Sequence, residues 1–92
     1  MKELVVYGWK GIRPKVGQTR EVMAAYSKAE VARALNVRSP SQIFNLARTG
    51  NPGEVAIATS QPGQVFFHPL YELPVAWRLH PVSPASLASP GM

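Results

Sequence analysis

The residue order predicts a small α+β domain: an antiparallel sheet of three or four strands in the order β-β-α-α-α-β, with three short helices packed on one face. Three observations lead there. A helix-start pattern occurs three times in series between Ser27 and Gln61, two runs of branched and aromatic residues precede it, and one such run follows it.

The helix starts are Ser27-Lys28-Ala29-Glu30, Ser39-Pro40-Ser41-Gln42 and Asn51-Pro52-Gly53-Glu54. Each places an oxygen-bearing side chain three positions before Glu or Gln. In that spacing the first side chain accepts from the amide three residues on, and the Glu or Gln reaches back to the start of the helix. Pro40 and Pro52 fall at the first helical position, where a missing N–H costs nothing. Asn36 and Gly50 stand where a left-handed residue ends a helix, and Pro62-Gly63 closes the third.

In chain order, residues 4–9 read as a strand with two apolar faces, hence an inner strand. Residues 19–26 read as the second. Between them, residues 10–18 carry Gly11, Pro14 and Gly17 and read as a loop too long for a tight hairpin. The first helix, residues 28–35, turns Val31, Ala32, Ala34 and Leu35 inward. The second, residues 40–48, buries Ile43, Leu46 and Ala47, with Phe44 at the border. The third, residues 52–60, is poorly amphipathic. Residues 64–68 read as the third strand, and residues 75–79 as a short edge strand or an extended arm. Residues 1–80 are thus expected to form one domain, and residues 81–92, rich in Pro, Ser and Ala and uncharged, a flexible tail.

Ninety-two residues allow one small core and no large internal cavity. No apolar run approaches the roughly 18 residues of a membrane span. Glu3 and Lys10 bracket an apolar run too short for a secretory signal. The absence of cysteine excludes disulfides and thiol chemistry. With no Asp either, and Glu30 and Glu54 assigned to helix caps, few groups remain for acid–base work, and no enzyme activity or cofactor is expected. His68, Glu72 and His80 match no compact ligand spacing, so no metal is expected.

Net charge is +5, unevenly placed: residues 1–48 hold nine Lys and Arg against three Glu. That half is expected to face an acidic partner, either a protein surface or nucleic acid. The candidate partner-binding residues are Lys10, Arg13, Lys15 and Arg20, with Tyr7 and Trp9 beside them. They could track a phosphate backbone while a ring stacks on a base, or anchor in an acidic protein groove.

An alternative is a helix-turn-helix reading. Residues 29–37 resemble the first helix and turn of such a DNA-binding unit, which would make residues 40–48 a recognition helix. Arg38, Ser41, Gln42, Asn45 and Arg48 would then meet DNA, Gln and Asn suiting adenine and Arg guanine. Ile43 comes one position later than that pattern places its core residue. A third alternative is a structural or assembly component that self-associates through residues 65–67 or its C-terminal arm.

Taken together, Tyr7-Gly8-Trp9, Thr19-Arg20-Glu21-Val22-Met23-Ala24-Ala25, residues 27–37, Thr49-Gly50-Asn51-Pro52 and Pro62-Gly63-Gln64-Val65-Phe66 resemble small accessory proteins of bacteriophages and prophages. The resemblance spans about residues 4–70 and carries no catalytic residues. It implies a bacterial host cytoplasm and a non-enzymatic protein that binds and modulates a host nucleoprotein complex, as anti-CRISPR and other anti-defence proteins do. A basic chain suits competition with nucleic acid for an acidic surface, or binding of the nucleic acid itself, better than DNA mimicry.

Overall fold

In the computed structural model, which describes residues 3–80, the chain is α+β. The predicted tail, residues 81–92, and the first two residues lie outside the described range. The elements are β1 (Val5–Arg13), β2 (Gly17–Ala25), α1 (Lys28–Ala34), a 3-10 turn (Pro40–Gln42), β3 (Ala47–Arg48), α2 (Pro52–Ser60), β4 (Val65–Pro69) and β5 (Arg78–Leu79). The strands form one antiparallel sheet in the order β3-β1-β2-β4-β5.

Two parts of the predicted architecture are corrected. Among the described residues the sheet has five strands rather than three or four, and there are two α-helices rather than three. The helices also cover both faces of the sheet instead of one. The reason lies in the strands, whose alternating residues are apolar on both sides. Tyr7, Trp9, Met23, Ala25 and Val65 pack with Val31 and Ala32 of α1. Val6, Val22, Ala24 and Phe66 pack with Ala58 of α2. Each apolar face must be covered, and each receives one helix.

The second predicted helix fails. Its start signature is partly made, since Gln42 Oε1 accepts from the Arg38 amide at 2.8 Å. Ser39 caps nothing, however, and its hydroxyl meets that of Ser41. After one turn Ile43 is extended, Asn45 is left-handed at φ 60°, and Ala47 and Arg48 pair with Gly8 and Tyr7. Two demands outweigh local propensity here. Ile43 is buried in the α1-side core, and the outer edge of β1 gains partners for its backbone. Thr49 N–H reaches Val6 O at 2.9 Å, and Lys10 N–H reaches Phe44 O at 3.3 Å.

The other two helices form where their caps predict. Ser27 Oγ accepts from the Glu30 amide, and the Glu30 carboxylate accepts from the Tyr26 amide. Asn36, at φ 60°, ends α1 while the Val37 amide bonds back to Ala32 O. Asn51 Oδ1 accepts from the Glu54 amide to start α2.

The predicted long basic loop is also corrected. Residues 10–13 and 17–18 belong to the hairpin strands, whose register runs from Val5↔Ala25 to Arg13↔Gly17. Only Pro14, Lys15 and Val16 turn the chain, closed by a hydrogen bond from the Val16 amide to Arg13 O. Gly11 interrupts nothing. It is a close-approach position, because a Cβ there would stand 2.8 Å from Glu21 Oε2.

Gly8 plays the same part on the other face. The Arg20 guanidinium lies over it and forms two bonds to Glu54 of α2, at 2.8 and 2.9 Å. Thr49 adds a hydroxyl bond to the same carboxylate. Arg20 therefore ties α2 to the sheet, and Gly8 supplies the room. Gly8→Ala is expected to cost about 1 to 3 kcal/mol by forcing that guanidinium aside. Urea denaturation should show the loss in the native background and little of it in an Arg20→Ala background.

Candidate binding groove

On the α1 face, the hairpin strands bring Trp9, Arg13, Thr19 and Glu21 together. Glu21 is 3% exposed, a position where an unpaired carboxylate would cost several kcal/mol. Four hydrogen bonds compensate. Trp9 Nε1–H donates at 3.2 Å and Thr19 Oγ–H at 2.7 Å, while the Arg13 guanidinium donates twice, at 2.8 and 3.0 Å. These fill the lone-pair capacity of a carboxylate. Arg13 also stacks on Phe67, 3.9 Å from the ring centre. Through its remaining terminal nitrogen it donates to His80 Nδ1 at 2.8 Å. The polar row, buried at Glu21 and Thr19 and partly buried at Arg13 and His80, thus runs from β1 over β2 and β4 to the residue after β5.

Above this row lies an open groove of about 640 Å³. Trp9, Gly11 and Glu21 contribute to its floor, Leu35, Val37 and Ile43 to its apolar walls, and Lys10, Ile12 and Phe44 to its rim. Ile12 and Phe44 are 79% and 70% exposed, large for apolar side chains. Among the described residues Glu21 is the only carboxylate lining the groove.

The candidate partner-binding residues separate into three groups. Tyr7 and Trp9 are core, Trp9 only 2% exposed, so neither ring is available for stacking. Arg13 and Arg20 are held in internal ion pairs with Glu21 and Glu54. Lys10 and Lys15 are exposed and make no ion pair among the described residues, Lys10 on the groove rim and Lys15 at the hairpin tip.

The residues assigned to DNA reading do not share a helix face. Ser41 and Gln42 sit in the 3-10 turn, Asn45 is left-handed, and Arg48 lies in β3 near Glu3 at 4.0 Å. Arg38 is exposed between α1 and the turn. Of this set only Gln42 lines the groove.

The three residues considered for a metal face separate partners. His68 Nδ1 contacts Pro69 O and its ring packs edge-on against Trp77; Glu72 pairs with Arg78; His80 accepts from Arg13. Among the described residues no group of three potential ligands could hold a metal ion, and no helix is long and apolar enough to cross a membrane.

Sequence reasoning missed Glu21 and Ile12, and weighed His80 only as a metal ligand. One signal was present: with Trp9 opposite Glu21 and Gly11 opposite Thr19, a longer hairpin puts one carboxylate among an indole, a hydroxyl and Arg13. No protein-family model, curated protein or solved structure matches the chain.

The polar row gives a pH dependence. Burial, and then the Arg13 charge, lower the His80 pKa from its ordinary 6.5, while Glu21 pulls it the other way. A depressed folded value means that stability is fully present above about pH 6.5 and declines as pH falls below it, because the unfolded chain takes up the proton first. Hydrogen bonding to Arg20 likewise holds the Glu54 carboxyl below its ordinary 4.5, so its contribution is lost only at lower pH. Urea denaturation is expected to show lower stability at about pH 5.5 than at about pH 7.5, with the difference shrinking in His80→Gln.

Proposed function

We propose that the chain is a non-enzymatic binding protein whose groove on the α1 face engages an acidic protein surface. One observation carries the reading: an apolar concavity is bordered by exposed Phe44 and by β1, whose exposed Lys10 and Ile12 side chains stand at the same border on the opposite face of the sheet, and among the described residues its only carboxylate is buried and bonded to four donors. Such a mixture of apolar wall and cationic rim suits a protein anchor. The phage-type resemblance adds the setting, in which the partner belongs to a host nucleoprotein complex that the chain modulates or inhibits.

Three features support binding to protein over nucleic acid or catalysis. Tyr7 and Trp9, the rings that base stacking would need, are buried. The helix that would read bases is replaced by the turn and β3. Glu21 already accepts four bonds, leaving no lone pair to receive a substrate proton.

Fluorescence anisotropy with duplex DNA, single-stranded DNA and RNA tests the choice over about 50 to 200 mM salt, the range in which phosphate-driven binding falls steeply. Weak binding that disappears at the higher salt is the expected result. Tight binding that keeps a sequence preference there would overturn the reading.

A further inference from the structure

The groove has a second property that its side chains do not reveal: one of its walls is an open strand edge. In β1 the odd-numbered residues from Val5 to Arg13 turn their backbone groups toward β2, and the even-numbered ones turn theirs to the outer side. Two contacts fix this parity, from Thr49 N–H to Val6 O and from Lys10 N–H to Phe44 O. Across the hairpin the pattern agrees. Gln18, opposite Ile12, directs its carbonyl away from β1 and accepts from the Leu70 amide at 2.8 Å. Ile12 N–H, Ile12 C=O and Lys10 C=O therefore point outward.

The row that covers the outer side of β1 stops before it reaches them. It contains β3 and Phe44, and then the chain turns inward at Ile43, which is buried in the core. Beyond Phe44, among the described residues, no backbone group meets the Ile12 amide or carbonyl. The vacated side borders the groove, since residues 10–14 line it together with Ile43 and Phe44.

On this basis, and resting on the groove-binding reading above, we infer that the partner binds by strand addition: an extended segment continues the β3 row along Lys10 to Arg13. An added strand gains main-chain hydrogen bonds, and its alternate side chains face opposite ways. On the α1 face it passes Gly11, which has no side chain, so a partner side chain there reaches the apolar wall of Leu35, Val37 and Ile43. On the other face its side chains lie beside Lys10 and Ile12. Exposed Lys10 favours a carboxylate at that position, and Glu21 offers no competing exposed negative charge. The ligand chemistry is therefore an extended peptide that alternates apolar and acidic residues.

The test is a titration of the isotope-labelled full chain with a peptide of about ten residues alternating Val and Glu, the span of a typical recognised strand. Hydrogen exchange of the Ile12 amide and the position of the Trp9 indole resonance are followed together. Binding should slow Ile12 exchange about tenfold or more, and Lys10→Glu, or Lys in place of Glu in the peptide, should weaken affinity about tenfold. Ile12→Pro removes the outward N–H together with the Ile12 side chain and should abolish binding, whereas Ile12→Ala removes the side chain alone and should not; if the proline variant does not fold, exchange in the native chain decides the matter.

A Trp9 shift with saturable binding but unchanged Ile12 exchange would overturn strand addition and leave the groove reading standing. Protection of Ile12 that rises with protein concentration in the absence of peptide would also overturn the inference, assigning the edge to a second copy of the chain. Absence of peptide binding overturns it as well; the groove reading falls with it only if a single-stranded oligonucleotide moves the Trp9 resonance instead.

Discussion

The carboxylate of Glu21 is the group on which the α1 face depends. Its four donors come from both strands of the hairpin, and one of them, Arg13, extends the network to His80 beyond β5. A buried charge is tolerated only when its desolvation is offset by good geometry on every lone pair. That requirement explains several local choices at once. Gly11 must lack a side chain, because a Cβ would press on the carboxylate and on Thr19 Oγ1. Trp9 must turn its indole N–H inward, and Arg13 must lie flat on Phe67.

The surface follows from this internal use of charge. Arg13 with Glu21, and Arg20 with Glu54, turn two cations of the basic N-terminal half into fasteners, one on each face of the sheet. Lys10, Lys15, Lys28, Arg33 and Arg38 remain exposed with no ion pair among the described residues. Of these Lys10 stands on the rim of the groove, beside exposed Ile12 and Phe44. Apolar wall, exposed cation and open strand edge thereby meet at one border of the sheet, where we propose that a partner binds. A patch built from Lys10 differs from one built from Arg13, since lysine supplies a mobile point charge and no planar fork.

How much of this could be read from residue order varied with the range of the determining interaction. The caps at Ser27 and Asn51 act over three residues, and both helices formed there. Ser39 carries the same pattern, yet burial of Ile43 and the backbone needs of β1 decided that segment, and both are tertiary. Gly11, Pro14 and Gly17 looked like loop punctuation; the first is a packing position and the others frame a tight turn. Of the six expected partner-binding residues only Lys10 reaches the groove rim in exposed form. Tyr7 and Trp9 were drawn into the core by area, Arg13 and Arg20 by carboxylates that lie distant along the chain or on the neighbouring strand. Exposed Phe44 was misjudged because the helix expected to carry it does not form.

Arg13 and Glu21 form one structural unit, in which Arg13 is an internal fastener and not a surface cation awaiting a partner. A double-mutant cycle with Arg13→Met and Glu21→Met, read by urea denaturation at neutral pH, tests it most directly. Each single change should cost about 3 to 5 kcal/mol, because it strands a buried charge, and the double variant should recover part of that loss. Losses that simply add would mean that the two side chains act independently and that the α1 face does not depend on their pairing.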